Sequence, residues 1–393
     1  MSPDSAAAPN LPTWNLADLY AGPEAPEVER DLKDAATKAA AFRRRYEGKL
    51  AALDGAGFLE AILAYEVISE ILGRVGSFAQ LLYSGDMSNV EFGRFQQNIT
   101  ERSTEISLET LFFTLEINKL EDADIAAKLR HAPLRRFAPW LDAVRAFRPH
   151  QLSDEIEKLL HERDVVGRQA WMRLFDETMA DLRFDVGGKQ MTSNEALNLL
   201  YEQDGAKRKQ AADALAKGFK DNERVFALVT NTLAKEKEID DKWRSFARPV
   251  SSRNLANQVE DDVVDALVAA VKASYPQLSH RYYKLKAKWL GLPKLNYWDR
   301  NAPLPDDEDA PIAWDEAQSL VLNAYRDFSP KLAEVGKVFF DKGWIDVPPR
   351  PGKAPGAFAH PTVPSAHPYL LLNYHGRTRD VMTLAHELGH GVH

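Results

Sequence analysis

The sequence predicts a mainly α-helical protein of many helices with a small β-sheet beside its last helix. Three observations carry that prediction. Apolar residues recur at helical spacing from about Glu27 to Phe340, strand signals are scarce before residue 183, and a short apolar run, Tyr369 to Tyr374, precedes a final amphipathic segment. The period is explicit in Leu108, Leu111, Phe112 and Leu115, and again in Val264, Leu267, Val268 and Val271. Both sets fall at i, i+3, i+4, i+7, so each lines one face of a helix with ~3.6 residues per turn. Asp261 and Asp262 are candidate caps for the second helix.

The elements follow in order. A Pro-rich lead containing Trp14-Asn15-Leu16 and Leu19-Tyr20 gives way to helix after helix. The pattern breaks at Arg183 to Met191, where Gly187-Gly188 predicts a hairpin because two glycines accept the positive φ of a tight turn. Thr192 or Ser193 then caps a helix carrying Glu195. With a boundary placed here, the expected regions are 1–115, 116–190 and 191–393. Composition changes again at Gly343: Pro and Gly are dense as far as Pro368, and Tyr369 to Tyr374 suits a buried strand. Between Gly352 and His360 small residues allow another backbone to approach closely, so an exposed edge there could take an extended peptide as an added strand. An irregular connection between helix and strand is the alternative.

Length and composition bound the function. The 393 residues are 45% hydrophobic and 27% charged, enough for a large core and two or three domains. No stretch approaches the ~20 apolar residues of a membrane span, and the first fifteen residues lack a charged segment followed by an apolar one. A cytoplasmic location without membrane partners is expected. The absence of cysteine excludes disulfides, thiolate ligands and cysteine nucleophiles, leaving His and carboxylates as metal ligands. A net charge of −8 argues against nucleic acid as a partner. Arg43 to Arg45 and the basic, aromatic stretch Arg281 to Lys288 read as solvated helix faces, balanced by acidic runs such as Asp306 to Asp309. Tryptophans including Trp243, Trp289, Trp298 and Trp344 fall beside helical stripes and read as core. No Gly-rich phosphate cradle is present.

The chemistry is concentrated at His386-Glu387-Leu388-Gly389-His390. On a helix, residues four apart lie about 40° apart around the axis, so both imidazoles can reach one ion. Glu387, between them, suits a general base that takes a proton from water without ligating the metal. Val381, Leu384, Ala385, Leu388 and Val392 form an apolar stripe beside the His face. The metzincin pattern is excluded, because it requires Gly where His393 stands and a third His three residues later. What remains requires a distant carboxylate as third ligand. His393 lies about 10 Å along the axis from His386, too far to close a tetrahedron with bonds near ~2 Å, and reads as structural or supporting. His360, His367 and His375, in loops beside Pro or Gly, read as hydrogen-bonded structural residues.

The runs Gly352 to Phe358, His367 to Tyr374 and Asp380 to His393 resemble the oligoendopeptidase F branch of the thimet-type (M3) zinc oligopeptidases. So do Trp14 to Tyr20, Arg281 to Gly291, Tyr297-Trp298-Asp299 and Gly343 to Asp346. The resemblance implies a two-lobed, zincin-type oligopeptidase fold with a channel between the lobes, and it makes 116–190 the family's N-terminal helical domain and 191–393 part of its peptidase domain. It implies a zinc metalloendopeptidase cleaving short peptides, with His386 and His390 as ligands of one Zn2+, Glu387 as general base, and Gly356, Ala357 and Phe358 as the substrate-binding edge. Family members continue well past the motif, supplying a glutamate as third ligand and a later Tyr and His. The expectation is therefore a chain truncated within its zinc helix, with its third ligand beyond residue 393, weak metal binding and negligible activity. Two alternatives stay open: a non-catalytic helical peptide-binding protein, and a different gluzincin such as a carboxypeptidase or an aminopeptidase, though the Gly-x-Met-Glu-Asn signature of one aminopeptidase group is absent.

Overall fold

A computed structural model describes residues 11–305 and 310–393; the first ten residues and the acidic run at 306–309 lie outside the described residues. The fold is mainly helical with two small sheets, as the sequence predicts. Its N-terminal part is built on three long helices, α1 (Pro26–Tyr46), α2 (Gly55–Gly85) and α3 (Val90–Lys119), which pack on one another. Helix α1 starts on Pro26 with Glu27 and Glu29 in its first turn and ends on Arg43, Arg44 and Arg45, so its charges complement the helix dipole at both ends. Asp54 and Asn89 cap α2 and α3 through side-chain oxygens that accept backbone N–H groups. Leu32, Ala35, Ala39, Phe42, Phe58 and Phe113 are buried at the centre of the cluster. Small residues on α1 let the helices approach, and Phe42 meets Phe113 edge-on at 5.2 Å.

The predicted hairpin is present as β1 (Phe184–Val186) and β2 (Lys189–Met191), antiparallel with Phe184 opposite Met191. Gly187 and Gly188 turn it with φ of +63° and +86°. Thr192 and Glu195 form a capping box at the start of the next helix. Phe184 is buried against Gly218 of α4 (Gly205–Asp221), where any side chain would collide with its ring. Arg208 of α4 makes a buried ion pair with Asp299 at 2.8 Å.

The last region holds α5 (Asp261–Ser274), α6 (Ser279–Trp289), α7 (Trp314–Phe328), α8 (Pro330–Asp341), a three-stranded sheet and α9 (Thr378–Val392). The sheet has the order β3 (Ile345–Asp346), β5 (Tyr369–Leu371), β4 (Phe358–His360). Strand β5 lies in the middle, parallel to β3 and antiparallel to β4, and Tyr369, Leu370 and Leu371 are fully buried. A strand covered on both faces reads as a continuous apolar run, which is what the sequence shows. Tyr369 also belongs to the N-terminal core, and its hydroxyl donates to Asn15 O. The lead segment is thereby tied to the sheet.

Three expectations are corrected. Asp261 and Asp262 stand in the first turn of α5, and Glu260 is the cap residue. The stripe on α5 is helical as predicted, but Leu267, Val268 and Val271 are exposed, because no described element covers that face. Trp243 and Trp289 are likewise exposed, at 61% and 45%, so they are not core. Helical spacing reports an apolar face; it does not report what packs there.

Candidate metal centre

Helix α9 is fixed at its start, middle and end. At the start, the Asp380 carboxylate accepts the backbone N–H groups of His375 and Arg377 at 2.8 and 3.0 Å, tying the chain that enters the helix to its first turn. The Arg377 guanidinium reaches back to Asn198 Oδ1, Tyr201 O and a Glu202 carboxylate oxygen, so the turn at 198–202 holds the helix entry in place. In the middle, Leu384 and Leu388 are fully buried in a cluster with Val321, Phe339, Ile345, Leu370 and Leu372. The Tyr325 hydroxyl of α7 donates to Ala385 O. At the end, Gly391 faces Phe339 and Leu370 so closely that a Cβ would sit 2.8 Å from the Phe339 ring.

With the apolar stripe inward, His386 and His390 face outward and are exposed, and Glu387 is half-buried between the two faces. The two Nε2 atoms are 3.1 Å apart and the rings are perpendicular, with centroids 4.6 Å apart. That separation is short enough for both nitrogens to come within the ~2.0–2.1 Å bonding distance of one ion if zinc were bound. The pair therefore fits two corners of a zinc site. Among the described residues no group of three His, Asp or Glu side chains completes it.

His360 and His367 have their own side-chain partners. His360 Nε2 meets Ser77 Oγ at 3.0 Å, and burial pushes its pKa down. His367 stacks on Trp344 at 3.5 Å with Nε2 3.0 Å from Asp18. Burial lowers the His375 pKa, against the pull of Asp380. His393 is exposed, and its backbone N–H donates to Gly389 O.

The candidate substrate edge lies beside this helix. Ala357 and Ala359 pack into the same cluster as Leu384 and Leu388, and among the described residues β4 pairs with β5 on one side only. The strand begins at Phe358 and runs to His360; Gly356, with φ +78°, and Ala357 form the approach to it. Of the expected segment Gly356 to Phe358, Phe358 opens the strand and Gly356 and Ala357 lead into it. A cavity of about 760 Å3 lies elsewhere, between α6 and the segment 292–300; Tyr283, Lys284, Lys288 and Arg300 line it, and no residue of α9 does.

Sequence reasoning missed several supports. Arg377 acts on residues some 175 positions earlier, and neither Tyr325 nor the Lys353 cluster described below belongs to any local pattern.

A helical body, a short mixed sheet and a His-Glu-x-x-His helix packed against it have the arrangement of a helical peptidase fold. Sequence comparison makes the assignment specific. The family described as Oligopeptidase F matches residues 116–184, and Peptidase family M3 matches residues 198–393. The chain belongs to peptidase family M3, in its oligopeptidase F branch.

Oligopeptidase PepF of Bacillus subtilis is 27% identical over 403 residues, covering all of this chain and 58% of that protein. An oligoendopeptidase F homolog of Borreliella burgdorferi is 26% identical, covering 97% of this chain and 64% of its own length. Among solved structures, a putative oligoendopeptidase F from Bacillus anthracis superimposes with a TM-score of 0.70 at 20% identity over 92% of this chain and 64% of that one. PZ peptidase A with inhibitor 2 gives 0.73 at 15% identity, covering 92% and 62%. These likenesses show a shared fold. The chain spans about three fifths of the length of the relatives it matches.

Proposed function

We propose that this chain carries the metal-binding helix and substrate edge of a zinc metalloendopeptidase that hydrolyses short oligopeptides. The observation that carries the reading is the 3.1 Å approach of the His386 and His390 Nε2 atoms on one exposed face, with Glu387 between them in sequence. When bound, zinc supplies a Lewis acid for the scissile carbonyl and makes water far more acidic than its ~15.7 in bulk. The chain's own residues do the rest. His386 and His390 donate two nitrogens. Glu387 takes a proton from the attacking water at a carboxylate oxygen and delivers it to the leaving amine. Strand β4 holds the peptide extended beside α9 through main-chain hydrogen bonds, which are indifferent to sequence.

Two donors hold zinc weakly, so we expect the chain of 393 residues to bind the metal with low affinity and to turn over peptide negligibly. The test measures zinc content and hydrolysis of a blocked peptide side by side, for this chain and for a version extended with the unmatched part of Bacillus subtilis PepF. Zinc uptake lost in His386→Ala and His390→Ala, with internal cleavage by the extended form abolished in Glu387→Gln, supports the reading. Equal turnover by the two forms refutes the weak-site expectation. Peptide affinity indifferent to chelator and to Glu387→Gln, without cleavage, supports a non-catalytic peptide clamp instead.

A further inference from the structure

Lys353 stands in the Pro/Gly connection between β3 and β4, and its side chain is fully buried. A buried ammonium is tolerated only where acceptors replace its water. Here four converge on Nζ: Asp346 Oδ1, Asp346 O, Pro348 O at 2.9 Å and Leu372 O. These acceptors come from β3, from the connection itself and from the residue that follows β5. The Asp346 carboxylate, also fully buried, is gripped from the other side by Arg350 at 2.7 and 2.9 Å, and Arg350 donates onward to Gly85 O at the end of α2.

The backbone of the same connection is pinned on both sides of Lys353. Met87 N–H donates to Gly352 O, and Ala354 N–H donates to Ser84 O at 2.9 Å. Asn373 then donates to Ala354 O and Gly356 O at 3.0 and 2.8 Å. Gly352 has no room for a side chain, since a Cβ would lie 2.2 Å from an Asp86 carboxylate oxygen. Five residues after Lys353 the chain enters β4.

Replacing a buried ion pair by apolar residues of like volume is often neutral or stabilising, so stability alone does not account for a lysine here. What the apolar pair lacks is direction. Three N–H bonds fix where β3, the connection and the end of β5 meet, and hence where β4 begins relative to α9.

We propose that Lys353 is a positioning residue: its bonds to Asp346, Pro348 and Leu372 set the placement of edge strand β4 beside the His-Glu-x-x-His helix. The consequence for substrate rests on the reading that β4 takes the peptide as an added strand. Burial lowers the Lys353 pKa to about 8, with the Asp346 charge opposing the shift, so the ammonium form and its three donors persist at neutral pH.

The experiment compares the 393-residue chain with Lys353→Met and with the double variant Asp346→Asn, Lys353→Met, which also removes the buried carboxylate charge that Arg350 alone would otherwise balance. Hydrogen exchange is followed at residues 358–360 and 369–371, with α1 to α3 as internal reference, and affinity is measured for a fluorescent blocked octapeptide. The expected result is exchange at least tenfold faster across 358–360 in both variants, with α1 to α3 unchanged and octapeptide affinity down at least tenfold. The double variant recovers the unfolding midpoint but not the protection. Protection at 358–360 restored together with stability would overturn the proposal, as would unaltered octapeptide affinity where the parent chain binds. Faster exchange at 358–360 in both variants, when the parent itself binds no octapeptide, supports the positioning role and removes the reading of β4 as the substrate edge.

Discussion

Gly391 shows how one atom governs the placement of the face that carries His386 and His390. Helix α9 can rest on Phe339 only because residue 391 has no Cβ; an added one would lie 2.8 and 2.9 Å from two ring carbons and 3.3 Å from Leu370. Phe339 is itself buried, so the ring has little room to yield. Gly391→Ala is expected to destabilise the protein by about 1–3 kcal/mol through overpacking, although alanine is the better helix former. Urea titration measures the loss, and unchanged stability would mean that the ring moves freely. His360 acts through its proton. Burial keeps its folded pKa below the ~6.5 of an unfolded histidine, so on acidification the unfolded chain binds the proton first. Its contribution is therefore intact above about pH 6.5 and is lost as pH falls through that value toward the folded pKa. The expected observation is that His360→Gln reduces the drop in thermal midpoint between pH 7.5 and 5.5; an identical drop in variant and parent would contradict it.

At the scale of elements, α9 depends on its first turn. Asp380, in that turn, accepts the backbone N–H groups of His375 and Arg377 just ahead of it, and losing a capping side chain costs about 0.5–2 kcal/mol. Asp380→Ala is expected to fall in that range by denaturant titration and to speed hydrogen exchange at 378–382 before 386–390; exchange rising uniformly along the helix would argue against a capping role. Helix α9 was legible in the sequence because its stripe, its acidic first turn and its paired histidines all agree on one register. The hairpin was legible for a similar reason, since Gly187, Gly188, Thr192 and Glu195 each serve a local bond or φ requirement. The start of β4 was not: small residues from Gly352 onward permit a strand, but Gly356 at positive φ turns the chain and delays it to Phe358. Nor was Lys353 legible, because its acceptors lie as far away as Leu372 and its neighbours have no period. The α5 stripe gave the element correctly and its burial wrongly, since periodicity carries no information about the partner surface.

Across the whole molecule, apolar packing is unevenly distributed. Helices α1 to α3 share a large cluster that extends to Leu134, Leu141 and Tyr369, whereas α5 buries no side chain and α6 buries only Lys286 and Ala287. Leu267 and Leu278 are 64% and 65% exposed, and Tyr275, Tyr282 and Trp289 continue the apolar surface. Helices shorter than ~15 residues are marginal in water without tertiary packing, and α5 and α6 have 14 and 11. Opening this stretch breaks few apolar contacts, so it needs far less free energy than global unfolding. Hydrogen exchange at neutral pH is therefore expected to proceed in a definite order: α5 and α6 within seconds to minutes, α9 and its sheet later, and the centres of α1 to α3 last, near the limit set by global unfolding. A polypeptide that covers the α5 and α6 surface would slow the first phase and leave the last unchanged. Equal protection of α5 and α1 in the chain alone would show that the exposed stripe is already covered in solution, by self-association, and sedimentation at two protein concentrations would then reveal the larger species.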